Sequence, residues 1–245
     1  NRFQPSFADF ADAWGPNTRA ALLASPSNPT GTMLDQNDLA AMVGFAKESG
    51  GALILDEIYQ GLHHRPVAYS TGLAVGDDLY ILNSFSKYYG MTGWRLGWVV
   101  VPEEAVDPIT KLAQNLFISP NAPAQNAALA AFDDQALAIY EVRREIFAQR
   151  AALMADGLKR VGFQIPVMPD GAFYHYVDVS HTGMTSSDFC WRLMDEFQVA
   201  VTPGSDFGVH NADRYARFAY TRASDTIEEG LARIAKALAA WGINT

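Results

Sequence analysis

Four short runs, "AALLASP" from Ala20, "ALILDE" from Ala52, "LYILNS" from Leu79 and "GWVVVP" from Gly97, are apolar at consecutive rather than alternate positions. A strand with one wet face alternates, whereas a strand apolar throughout must be covered on both faces. After the first run, "LDQNDLAAMVGFAKESGG" sets Leu39, Met42, Val43 and Ala46 at helical spacing and stops at Gly50 and Gly51, as helices commonly do. Strands of this kind alternating with helices predict an α/β fold, a mostly parallel sheet between helices.

The later sequence has another rhythm. "NAPAQNAALAAF" and "YEVRREIFAQRAALMADGLKRV" read as helices, followed by strand candidates "AFYHYVDVS", "VAVTP" and "ARFAYT". "SSDFCWRLMDEF" is a helix between them, and a last helix aligns Ile227, Leu231, Ile234, Leu238 and Trp241 before Gly242. This pattern predicts a smaller α+β domain over 141–245, after a first domain over 1–140. The opening "NRFQPSFADF" shows no obvious start of a helix or strand.

Several function classes are disfavoured by composition. At 245 residues and 49% hydrophobic, the chain can bury a sizeable core,. A formal charge of −9 argues against a nucleic-acid or anionic-membrane surface,. No apolar run nears the roughly 18 residues of a membrane span, and no basic segment followed by an apolar stretch marks a signal peptide. The single cysteine, Cys190, cannot form an internal disulfide, which fits a cytoplasmic location,. Its helical register with Phe189, Leu193 and Phe197 marks it as a small buried residue. His63, His64, His175, His181 and His210 lack the paired spacing of a metal site and read as core or surface groups,.

Chemistry concentrates where the first-half strands end. In an open parallel sheet, ligands bind beyond the carboxyl ends of the strands. Asn28 follows the first run, Asp56 and Tyr59 end the second, and Ser84, Ser86, Lys87 and then Arg95 follow the third. Taken singly, each has a plain structural use. Asn28 can hold a turn between Pro26 and Pro29, Asp56 can cap, Lys87 can be solvated, and Arg95 can pair with any carboxylate. An acid, a phenol, an amide and a lysine at neighbouring strand ends are harder to explain by structure alone.

The segments "SPSNPTGTM", "LDEIYQGL" and "SFSKYYGMTGWRLGW" resemble the signature blocks of the class I pyridoxal-5′-phosphate-dependent aminotransferases, the aspartate aminotransferase-like group of fold type I. "GAFYHYVDVS" and "VTPGSDFG…YARFAYT" resemble that family's small domain. The resemblance implies that Lys87 bonds the cofactor aldehyde as a Schiff base and later moves a proton, for which its amine must be partly desolvated. It implies that Asp56 keeps the pyridine nitrogen protonated and that Asn28 and Tyr59 hydrogen-bond the ring oxygen. Ser84, Ser86 and Arg95 would grip the phosphate, with Gly90 and Gly93 letting the chain turn back. Arg217 would take the substrate α-carboxylate, with Asn28 beside it. Arg214 and Arg222 do not align with that position and read as surface charges. Asn115, Phe117 and Tyr174 are candidate cleft-lining groups.

The same resemblance implies a transaminase acting on an amino acid and a 2-oxo acid, homodimeric at full length, with no nucleic-acid or membrane partner. It also implies that this sequence is a C-terminal fragment of such an enzyme. The missing part would supply a glycine-containing phosphate turn, an aromatic ring stacked on the cofactor, further strands and much of the subunit contact. Four neighbouring strands would remain, with both edges and one packing face uncovered, and the fragment would bind cofactor weakly and show little activity. Between Glu103 and Glu141 the one basic residue is Lys111, which weakens a dicarboxylate-type mechanism using a second arginine there. Two alternatives remain open: a carbon–sulfur lyase using the same cofactor, and the effector domain of an aminotransferase-like transcription regulator.

Overall fold

The computed structural model describes residues 2–67 and 71–243. Its residues group into two compact units. One reaches Ser27 and resumes over Thr32–Arg144; the other takes Asn28–Gly31 and the chain from Glu145 onward.

The first unit holds the sheet that the apolar runs predict. Strands β1 (Ala20–Ala24), β2 (Ala52–Asp56), β3 (Tyr80–Ser84) and β4 (Gly97–Val100) lie in the order β1-β2-β3-β4. β1, β2 and β3 are parallel and β4 runs antiparallel to β3. One face carries Leu53, Leu55 and Ile81, buried with Phe10 of α1 (Phe7–Ala13) and Leu39, Met42, Val43 and Ala46 of α2 (Gln36–Glu48). Asp35 starts α2 by accepting the Asn37 and Asp38 amides, and Gly50, at φ 69°, turns the chain out of it,. The opposite face presents Leu22, Leu82 and Val99, which are 65%, 39% and 40% exposed.

Two helices of this unit escaped the sequence reading. α1 begins in the stretch that shows no obvious start, where Ser6 and Asp9 form a reciprocal capping box,. α3 (Glu103–Leu116) contains Pro108, which removes a helical hydrogen bond, and its Val106, Leu112 and Leu116 stay 47%, 60% and 77% exposed,. α4 (Ala122–Ala130) follows, and its Ala124 and Ala128 pack with Phe85, Met91 and Leu96. α5 (Asp134–Arg160) carries the chain from the first unit into the second.

The second unit is built on a three-stranded antiparallel sheet of order β5-β7-β6, with β5 Tyr174–Asp178, β6 Thr202–Pro203 and β7 Tyr215–Ala219. Its core joins Leu158 of α5, Phe189, Cys190 and Leu193 of α6 (Ser186–Phe197), and Ile227, Leu231, Ile234 and Leu238 of α7 (Ser224–Ala240). Cys190 is buried, as its register requires, and burial pushes its thiol up to about 12,. His175 is also fully buried, donating from Nε2–H to the Ala151 carbonyl at 2.8 Å. The expected strand "VAVTP" shrinks to its last two residues. Gln198 takes a left-handed φ of 54° to end α6, and the Val199 amide bonds Leu193 O at 3.2 Å, so this amide closes the helix instead of joining the ladder,. Among the described residues, no helix is long and apolar enough to cross a membrane.

Candidate functional site

Because β1, β2 and β3 are parallel, their carboxyl ends share one edge of the sheet. Asp56 is the last residue of β2, in register with Ala24 and Leu82. Its Oδ1 accepts the Ile58 amide at 2.9 Å, which closes the turn into Tyr59,. Among the described residues its Oδ2 has no hydrogen-bond partner, so one carboxylate oxygen stays available to a proton donor. Tyr59 is 4% exposed, and the Lys87 ammonium stands 5.4 Å from its ring centroid,.

The segment from Ser84 to Leu96 is a closed excursion between β3 and β4. The Phe85 amide bonds Leu96 O at 3.1 Å, and the Met91 amide bonds Phe85 O at 2.9 Å. Ser84 Oγ accepts the Ser86 amide at 3.0 Å and donates to Leu96 O at 3.2 Å, so this hydroxyl fastens the loop. Ser86 is 8% exposed, and its own hydroxyl makes no hydrogen bond among the described residues. Thr92 Oγ1 donates to Ser86 O at 2.6 Å, and Arg95 Nη1 donates to Thr92 O at 3.0 Å. The remaining guanidinium N–H groups of Arg95 have no hydrogen-bond partner among the described residues.

The glycine expectation is half corrected. Gly90 takes φ 69°, but a Cβ at Gly93 would meet nothing within 4 Å and its φ is not positive. The left-handed residue is Arg95 itself, at φ 54°,. This edge therefore offers a lysine amine over a buried phenol, an unpaired carboxylate oxygen, and a hydroxyl and guanidinium suited to a phosphate ester.

In the second unit, Arg217 on β7 collects four partners from three separated segments. Its Nη1 donates to Asn28 Oδ1 at 2.6 Å and its Nη2 to Thr202 Oγ1 at 3.2 Å. The guanidinium carbon lies 4.3 Å from the Tyr174 ring centroid and 4.7 Å from that of Phe207. Its Nε is buried without a hydrogen-bond partner, and no carboxylate among the described residues pairs with it. Asn28 belongs to this unit because the Asp170 and Gly171 amides both bond Gly31 O, at 2.9 and 3.0 Å. Gly31, at φ 68°, leaves no room for a Cβ, which would lie 2.6 Å from Gly171 O and from Pro169 Cβ,. A fixed, stacked cation lacking a carboxylate is suited to bind one.

The other candidates divide. Tyr174 is buried against Arg217. Asn115 donates to Lys111 O at 2.7 Å within its own helix, and Phe117 is 57% exposed. Arg222 is exposed, as a surface charge. Arg214 is an exposed surface charge too, but a paired one, since its Nη2 lies 2.6 Å from Asp178 Oδ2. Burial works to raise the Asp178 pKa, but bonds from Ser180 and Arg214 outweigh it and hold the carboxyl below its ordinary value,. Thr202 and Phe207 at Arg217 were not named individually, although both lie in the "VTPGSDFG…YARFAYT" block that also carries Arg217.

The family model described as aminotransferase class I and II matches residues 1–234. A valine–pyruvate aminotransferase of Mycobacterium tuberculosis is 38% identical over 95% of this chain and 60% of its own. A probable N-acetyl-LL-diaminopimelate aminotransferase of Bacillus subtilis is 34% identical over 91% and 56%. Among solved structures, an aminotransferase from Mycobacterium tuberculosis matches with TM-score 0.93 and 38% identity, over 98% of this chain and 62% of that one. Aspartate aminotransferase from Thermus thermophilus with maleate matches at 0.89 and 32%, over 96% and 61%. The chain thus spans about 60% of the length of the relatives it matches.

Proposed function

The chain belongs to the class I and II aminotransferases, a family that works with pyridoxal 5′-phosphate, and from that premise we propose that the whole protein moves an amino group from an L-amino acid to a 2-oxo acid at Lys87. We assign 1–140 to the C-terminal part of the cofactor-binding domain and 141–245 to the smaller domain. The observation that carries the proposal is the Lys87 amine set over the Tyr59 ring, at the same sheet edge as an Asp56 oxygen with no partner among the described residues.

The donor set fits the cofactor. The Arg95 guanidinium and the Ser86 hydroxyl would hold its phosphate, while Ser84 shapes the turn that presents them,. Asp56 Oδ2 would accept from the ring N–H and keep that nitrogen charged, and Tyr59 would donate to the ring oxygen, with Asn28 as its second donor. When bound, the cofactor supplies an electron sink for the bond broken at the substrate α-carbon. Lys87 Nζ would hold the cofactor at its aldehyde and, once displaced by the substrate amine, would serve as the base for the substrate α-proton. Arg217 would hold the substrate carboxylate with its guanidinium, which no carboxylate among the described residues neutralises,.

The test is chemical. The chain is incubated with pyridoxal phosphate, reduced with borohydride and mapped by peptide mass. Attachment at Lys87 in preference to Lys47, Lys111, Lys159 and Lys236 is expected, and even labelling of all five lysines overturns the assignment. In the full-length enzyme, Lys87→Ala should lower the transamination rate by about 10⁴-fold.

A further inference from the structure

Beside Lys87 lies a network that the reaction chemistry does not use. Tyr88 Oη donates to Glu141 Oε1 at 2.6 Å, and Arg144 Nε donates to Glu141 Oε2 at 2.7 Å. Arg144 Nη1 in turn bonds the His63 carbonyl at 3.2 Å. The Tyr88 ring packs edge-on against Tyr140 at 5.4 Å and Tyr89 at 5.2 Å. Across it lies Gly61, at φ 86°, where a Cβ would fall 2.7 Å from the ring. One face of α5, from Tyr140 to Arg144, thus touches the loop after Tyr59 and the loop bearing Lys87.

An exposed Glu–Arg pair three residues apart on a helix contributes only about 0.3–0.5 kcal/mol and would merit no comment. Here each partner also reaches out of the helix, to a phenol 53 positions away and to a carbonyl 81 positions away. A phenol on a carboxylate is a charge-assisted bond, about twice as strong as a neutral one. Burial and the bond to Glu141 push the Tyr88 hydroxyl up, and the Tyr88 and Arg144 bonds hold Glu141 down. The bond therefore keeps one form, neutral phenol on charged carboxylate, across the physiological range.

We propose that Glu141, with Tyr88 and Arg144, is a positioning residue that fixes the Lys87 and Tyr59 loops to α5, so that the lysine amine is held over the phenol ring. The proposal rests on the reading of Lys87 as the reactive amine, but its test does not need the cofactor. Wild type, Tyr88→Phe, Glu141→Ala, Glu141→Gln and the Tyr88→Phe/Glu141→Ala double variant are acylated with trace acetic anhydride across a pH series. Labelling of Lys87 is read by peptide mass against Lys47, Lys111, Lys159 and Lys236.

Each single loss should change Lys87 labelling by about threefold, with the double variant no further displaced than either single. Glu141→Gln, which keeps an acceptor for Tyr88 but loses the charge and the acceptor for Arg144, should shift the profile less than Glu141→Ala,. An unchanged Lys87 profile, multiplicative effects in the double variant, a Gln variant shifted as far as Glu141→Ala or parallel shifts at the other lysines overturns the proposal. Pyridoxal attachment at Lys87 without these labelling shifts removes the clamp and leaves the function. Labelling shifts without attachment do the reverse.

Discussion

The Lys87 loop and the Arg217 setting are both polar constructions, but they are assembled in opposite ways. Ser84, Ser86, Lys87, Thr92 and Arg95 come from one stretch whose hydrogen bonds close mainly on themselves. Arg217 draws Asn28, Tyr174 and the pair Thr202 and Phe207 from three separate stretches. The first can be tuned by its own turn geometry. The second depends on the packing of a whole unit, so a change far along the chain can disturb it.

The contrast can be broken most sharply at Arg217. Arg217→Lys keeps the charge but loses the fork and the stacking between two rings. In the full-length enzyme it should lower kcat/KM for the amino donor by about 100-fold, the scale of a lost charged hydrogen bond, while pyridoxal attachment at Lys87 is unchanged. A parallel loss of attachment would mean that the two constructions are not independent.

Acid should distinguish the units next. Burial, opposed by the bond to Ala151, lowers the His175 pKa from 6.5 to about 4,. The folded state then binds fewer protons than the unfolded one between those values, so stability is full above pH 6.5 and falls toward pH 4. The loss approaches about 3 kcal/mol. In the first unit, burial raises the pKa of Glu57, which is 1% exposed and accepts the Gly72 amide. That contribution has the opposite sign: it is complete below the unfolded value of 4.5 and is lost as pH rises through the folded one,. Hydrogen exchange followed down from pH 6.5 should show the second unit loosening first, and His175→Gln should remove the difference. Loosening of both units together would contradict this account.

The smallest effect sharpens the local side. Gly61→Ala places a Cβ against the Tyr88 ring at a positive φ and should cost about 1–2 kcal/mol in thermal or urea melting,. Gly93→Ala, in open space at an ordinary φ, should change stability by less than about 0.5 kcal/mol,.

Much of the fold was legible because periodicity is local. The four apolar runs became β1 to β4, and Leu39, Met42, Val43 and Ala46 are buried as their spacing predicts. Helix α3 was missed because Pro108 argues against a helix interior, although Val106, Ile109, Leu112 and Leu116 recur at helical spacing,. Helix α1 was signalled only by the Ser6–Asp9 capping box, a pattern of two residues. At the candidate site, the turn residues were readable from the motif, but the single oxygen of Asp56 without a described partner was not.

The sequence alone determined which residues of the Lys87 loop lie together, since hydrogen bonds between near neighbours follow from chain order and turn chemistry. It also determined the parallel strands whose ends carry Asp56 and Ser84. Only the tertiary structure decided that Phe207 and Tyr174 flank Arg217, that Glu141 reaches Tyr88, and that Arg214 turns to Asp178. Those contacts join residues from ten to 53 positions apart. Side-chain chemistry permits many such partners, and packing selects one.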